Sequence, residues 1–125
     1  MLDIDYFKKI NDTYGHQTGD FILRDLVKEI EKVMRESDTF ARVGGEEFAI
    51  LLNDTPLEGA KVIAEKVRKI IEEKSFTYNT TSIDLTISIG ISALNKENTT
   101  IEDLYKKADK QLYIAKKNGR NRVQA

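Results

Sequence analysis

Apolar positions recur at two spacings along the chain, and the spacing assigns most of it. Ile22, Leu23, Leu26, Val27, Ile30, Val33 and Met34 fall three and four apart, the period of a helix buried on one side. Thr18 to Asp20 offer caps and a negative charge for its N-terminus. Ala60, Ile63, Ala64, Val67, Ile70 and Ile71 form a second stripe reaching about Lys74. It begins with Thr55 as cap, Pro56 at the first helical position and Glu58 closing a capping box. Its opposite face carries Glu and Lys at i,i+4, a solvated pattern. A third stripe, Ile101, Leu104, Tyr105, Ala108, Leu112 and Ala115, follows Thr99 or Thr100 as cap and ends at basic Lys116 and Lys117. A shorter helix follows Asp5 as cap, with Tyr6, Phe7 and Ile10 on its apolar side.

The strands read differently. Ile83, Leu85, Ile87, Ile89 and Ile91 alternate with polar or small residues, as in a strand with one buried face. Phe48 to Leu52 is apolar throughout, as in a central strand covered on both sides. Gly44-Gly45 join it to a shorter run ending at Val43, a hairpin signal. Met1 to Asp5 reads as the end of a strand, and a chain that continues upstream of Met1 is expected. Phe76 to Thr81 reads as a polar connection with some strand character, Asn95 to Thr99 as a loop, and Arg120 to Val123 as a short final strand. The expected order is β-α-α-β-β-α-β-α-β. This is an α/β (α+β) arrangement, a largely antiparallel sheet with helices packed on it.

Composition narrows the function. A chain of 125 residues is one domain with room for a core. The net charge of −1 gives no global pull towards nucleic acid or an anionic membrane, so any polyanion site is local. With no cysteine there is no disulfide or thiolate metal site, which fits a reducing, cytoplasmic setting. No apolar run is long enough to span a membrane, and the N-terminus has no signal-peptide pattern.

The candidate chemistry is acidic. Glu46 and Glu47 stand side by side at the hairpin tip, and Asp3 and Asp5 lie at a strand end. If that strand pairs beside the hairpin, three or four carboxylates converge. Convergent acids without histidine suit one or two Mg²⁺ ions bridging phosphates. Gly44 and Gly45 would let a ligand approach the backbone. Lys8, Lys116 and Arg120 could receive phosphate charge, and Asn11 with Asp20 could read a purine edge. The bland alternative stays open at this point: a solvated hairpin tip, an Asp that only caps, and lysines that only face solvent. His16, the lone histidine, has no partner type for a zinc site.

Asp3 to Asp12 reads D-I-D-Y-F-K-K-I-N-D, followed by Gly15-His16 and Gly19-Asp20. Then come Arg42, Gly44-Gly45-Glu46-Glu47-Phe48, Ser88-Ile89-Gly90, Ala108-Asp109, Tyr113, Ala115-Lys116-Lys117 and Gly119-Arg120-Asn121. In this order the chain resembles the GGDEF family, the diguanylate cyclases, in its G-G-E-E-F form. The resemblance implies a palm-like fold related to nucleotide cyclases and polymerases, and synthesis of cyclic di-GMP from two GTP with release of pyrophosphate. It implies Mg²⁺ (or Mn²⁺) held by Asp3, Glu46 and Glu47 with the Ile4 carbonyl, and catalysis by Asp3, Glu46 and Glu47. Asn11 and Asp20 match the guanine readers. Gly44, Gly45, Phe7, Lys8, Lys116 and Arg120 match further GTP contacts.

Arg35 and Asp38 match an R-x-x-D site where the product binds and inhibits. The implied partners are GTP, cyclic di-GMP, a second copy in a catalytic homodimer, and an upstream sensor or receiver domain. Neither nucleic acid nor a membrane is implied. The family's usual upstream D-x-L-T-G-L-x-N-R-R-like segment and first helix have no counterpart in 1–125, so a single GGDEF domain without that segment is expected. The alternative reading is a module that binds cyclic di-GMP with little or no turnover.

Overall fold

The computed structural model describes residues 1–97 and 99–125. The elements are β1 (Leu2–Ile4), α1 (Phe7–Tyr14), α2 (His16–Glu31), β2 (Thr39–Gly44), β3 (Glu47–Leu51), α3 (Leu57–Glu73), β4 (Ser75–Tyr78), β5 (Thr81–Asp84), β6 (Ile87–Gly90), α4 (Ile101–Lys117) and β7 (Val123–Gln124). The main sheet runs β2-β3-β1-β6-β7, antiparallel except for the β6–β7 pair. The expected class therefore holds, with two more strands than expected. Of the expected loop at 95–99, Asn98 lies outside the described residues.

Strand parity sorts the side chains into layers. Leu2 pairs with Phe48 and Ile89, and Ile4 with Ile87, so these apolar residues share one face. They join Ile22, Leu26 and Ile30 of α2 and Val67 and Ile71 of α3 in the main core. Asp3 pairs with Glu47 on one side and Ser88 on the other, which turns all three to the opposite face. There α4 lies over β6 and β7, burying Ala108, Leu112 and Ala115. At Gly90 the helix comes so close that a Cβ would run into the Leu112 nitrogen and the Ala108 carbonyl.

Several sequence expectations need correction. The 83–91 run is two strands: β5 pairs with β4 in a separate hairpin, and Leu85 and Thr86 carry the chain from there into β6. The hairpin turns at Asn79, which has a positive φ, and buries Phe76 and Ile83. β6 is buried on both faces, since α3 and α4 both pack on it. The 48–52 run lacks a second cover, and Leu51 is exposed. Asp5 does not cap α1; the cap position is Tyr6, left-handed at φ 56° and 62 % exposed. α2 begins at His16, and Thr18 donates to the Tyr14 carbonyl at 3.0 Å instead of capping. Thr55 and Glu58 form no capping box; the Thr55 hydroxyl donates to the Asn53 carbonyl and accepts from Arg35. Thr100 does cap α4, accepting from the Asp103 amide at 3.1 Å. Ile101 and Tyr105 face outward.

Candidate functional site

The register that pairs Asp3 with Glu47 sets two carboxylates side by side on neighbouring strands. The β2–β3 turn lies beside them, with Gly45 at φ 44° and its carbonyl held by Arg42 Nε at 2.8 Å. The Ile4 amide donates to the Glu46 carbonyl at 3.3 Å, tying the tip to the end of β1. Asp3, Gly44, Gly45, Glu46, Glu47 and Lys116 line an open cleft of about 370 Å³. Lys116 Nζ donates to Asp3 Oδ2. Burial pushes the Asp3 carboxyl above its ordinary value against the lowering pull of Lys116, and Glu46 and Glu47 add to the rise. A cation offsets that strain, and carboxylate oxygens suit a hard one.

Of the three or four acids expected to converge, Asp3, Glu46 and Glu47 line the cleft and Asp5 does not. Among the described residues, no three acidic or imidazole side chains are arranged to hold a metal ion. Asp5 is the reason for one absence. It is 4 % exposed and accepts from Thr86 Oγ1 at 2.7 Å, Ser88 Oγ at 2.7 Å and the Asn121 amide at 3.0 Å. Its carboxylate is occupied by protein donors. Asp3, Glu47 and Glu46 remain, a donor set that fits Mg²⁺ in kind, with Lys116 as the cation already on Asp3.

A second group lies where α1 meets α2. Phe7 is buried, while Lys8 and Asp20 are exposed. Asn11 Oδ1 is buried with no hydrogen-bond partner among the described residues. Its amide fills the space left by Gly19, where a Cβ would collide with Oδ1. Buried polar atoms are rarely left unpaired, so this acceptor is open to a donor other than the described residues, such as water or a ligand.

Arg35 and Asp38 stand together on the far side of the hairpin. Asp38 accepts from the Arg35 amide at 2.9 Å, from Nε at 3.4 Å and from Nη2 at 3.2 Å. Arg35 Nη2 also reaches the Asn53 carbonyl at 2.9 Å and Thr55 Oγ1 at 2.8 Å. The Asp38 side chain is only 2 % exposed. That burial works to raise its carboxyl, but the hydrogen bonds and charge of Arg35 prevail and hold it below its ordinary value.

The sequence pattern described as "Diguanylate cyclase, GGDEF domain" matches residues 1–122. The chain belongs to the GGDEF family. Diguanylate cyclase A of Treponema denticola is 50% identical over 123 residues, 98% of this chain and 33% of that protein. The response regulator PleD of Caulobacter vibrioides is 44% identical over 125 residues, 98% of this chain and 28% of that protein. The chain thus spans about a third or less of these two curated relatives. Among solved structures, the active GGEEF domain of a diguanylate cyclase from Vibrio cholerae matches with a TM-score of 0.90 at 40% identity, over 98% of this chain and 78% of that one. The GGDEF domain of DgcB from Caulobacter crescentus, in complex with c-di-GMP, matches with a TM-score of 0.91 at 35% identity, over 99% of this chain and 74% of that one. No helix among the described residues of this GGDEF domain is long and apolar enough to cross a membrane.

One contact of the loop after α4 escapes periodicity and spacing. Arg68 lies on the charged face of α3, which reads as solvated, yet its side chain is only 11 % exposed and contacts Asn121.

Proposed function

We propose that this chain is the catalytic domain of a diguanylate cyclase, condensing two GTP into cyclic di-GMP with release of pyrophosphate. The observation that carries the reading is the Asp3–Glu47 pair beside the Gly44-Gly45 turn, in a chain of the GGDEF family. Asp3 and Glu47, with Glu46 and the Ile4 carbonyl, would hold Mg²⁺ (or Mn²⁺). When bound, the ion supplies positive charge that steadies the triphosphate and the charge developing at the α-phosphate.

The chain's own residues bind and orient. Asn11 Oδ1, an orphan acceptor, suits a guanine N–H, and Asp20 nearby in sequence offers a second acceptor. Lys116 and Arg120 receive phosphate charge, with Lys8 and Phe7 as further contacts. Lys116 would then shift its ammonium from Asp3 to phosphate. In each of two steps the 3′-hydroxyl oxygen of one GTP bonds to the α-phosphorus of the other. The bond to the leaving pyrophosphate breaks, and the hydroxyl proton passes to a base, for which Glu46 is the candidate. Each domain holds one GTP, so two copies must face each other. Arg35 and Asp38 are the product site, where a guanidinium fork and a carboxylate match a guanine edge and a phosphate.

Incubation with GTP and Mg²⁺, followed by chromatography, should yield cyclic di-GMP and pyrophosphate. Cyclic di-GMP binding without any turnover would favour a binding module, a reading supported by the preformed Arg35–Asp38 pair.

A further inference from the structure

Arg120 and Asn121 are consecutive non-glycine residues at positive φ, 64° and 45°. Such residues are uncommon singly, and they persist where the surroundings over-determine them. Here the surroundings are specific. The Asn121 amide donates to buried Asp5 at 3.0 Å. Its side chain is held at both ends: Oδ1 accepts from Arg68 Nη1 at 2.7 Å, and Nδ2 donates to Glu72 Oε1 at 2.7 Å. Arg68 is in turn clamped by Glu65 at 2.6 Å and Glu72 at 2.9 Å. The Arg120 amide donates to the Ala115 carbonyl at 3.0 Å. Its guanidinium lies 4.6 Å from the Tyr6 ring centroid, at the end of β1 that carries Asp3.

We infer that Asn121, held by Asp5 and by Arg68 with Glu72, is a positioning residue that aims Arg120 at the phosphates of the nucleotide. The inference rests on the reading of Arg120 as a phosphate contact. A buried carboxylate is costly unless its oxygens are satisfied. Asp5 meets that condition with two hydroxyls from the β6 region and one loop amide, so it joins strand and loop rigidly. Arg68 carries the same constraint across to α3. A long arginine otherwise samples many rotamers, and fixing its backbone beside a stacking ring removes much of that freedom before phosphate arrives.

The test is calorimetric titration of the full chain with Mg²⁺ and GTP, and separately with guanosine, which lacks phosphate. Asn121→Gly keeps positive φ accessible but deletes the amide arm. GTP affinity should fall about tenfold, the order expected when an outer partner of a ligand-holding group is lost, while guanosine binding is unchanged. In an Arg120→Ala background the same substitution should cost less than about twofold, the limit of ordinary additivity. An equal loss in both backgrounds, or no loss in either, overturns the inference. If Arg120→Ala alone leaves GTP affinity intact, the phosphate reading of Arg120 fails and takes the inference with it. Absence of GTP binding by the wild type overturns the proposed function itself. Should Asn121→Gly not fold, Arg68→Lys keeps the charge but cannot span Glu65 and Asn121 together, and the same comparison decides.

Discussion

Asp3 is a buried acid with a second acid across the strand pair, and Lys116 opposes the effect of burial and repulsion without cancelling it. Its folded-state pKa lies above the unfolded one, so the folded chain holds that proton longer. Its contribution to stability therefore falls as pH rises through the folded value. Lys116→Met removes the main opposing pull. Asp3 should then titrate at still higher pH, and the variant should lose stability relative to wild type on going from acid to neutral pH. Carboxyl NMR titration with denaturation at both pH values measures this, and an unmoved Asp3 titration would contradict it. Arg35 acts in the other direction, holding Asp38 below its ordinary 3.8. The stability of that pair is present above 3.8 and lost as pH falls through the lower folded value. Arg35→Ala should weaken cyclic di-GMP binding by roughly 1.5–3 kcal/mol, as for a lost charged hydrogen bond, and leave GTP affinity nearly unchanged. Equal product affinity in the two proteins would reduce Arg35 to a helix-end arginine.

At the scale of elements, the close contact of α4 with β6 decides where Lys116 stands. Gly90→Ala would press a methyl into the α4 backbone at Ala108 and Leu112. Overpacking of this kind costs about 1–3 kcal/mol, which chemical denaturation would read directly. A shift of α4 should also loosen the Asp3–Lys116 pair; wild-type stability in Gly90→Ala would refute the close approach. The helices were legible in sequence because a long amphipathic stripe repeats its signal over several turns, as in α2 and α3. The 83–91 run misled because period two persists through Leu85 while the chain changes sheets, and alternation records burial, not partners. The apparent caps misled for a local reason. Asp5 and Thr55 have cap-type side chains, but Thr86, Ser88 and Arg35 offer them tertiary partners that no short spacing reveals. The acid pair itself was readable, as was the hairpin that brings Glu47 beside Asp3. The diversion of Asp5 to hydroxyls was not.

For the molecule as a whole, the cleft at Asp3 and Glu47 is open, and the proposed reaction joins two nucleotides, one held by each copy. Turnover should therefore rise more steeply than linearly with chain concentration until the facing pair is saturated. A rate strictly proportional to chain concentration from the lowest values upward would argue against a two-copy site. The most direct test lies at the acids themselves. Mg²⁺-dependent GTP binding should be measured by calorimetry in wild type, Asp3→Asn and Glu47→Gln. Loss of the metal-dependent part of the affinity in both variants, with the folds intact, is the predicted result; metal-dependent affinity unchanged in both would contradict it.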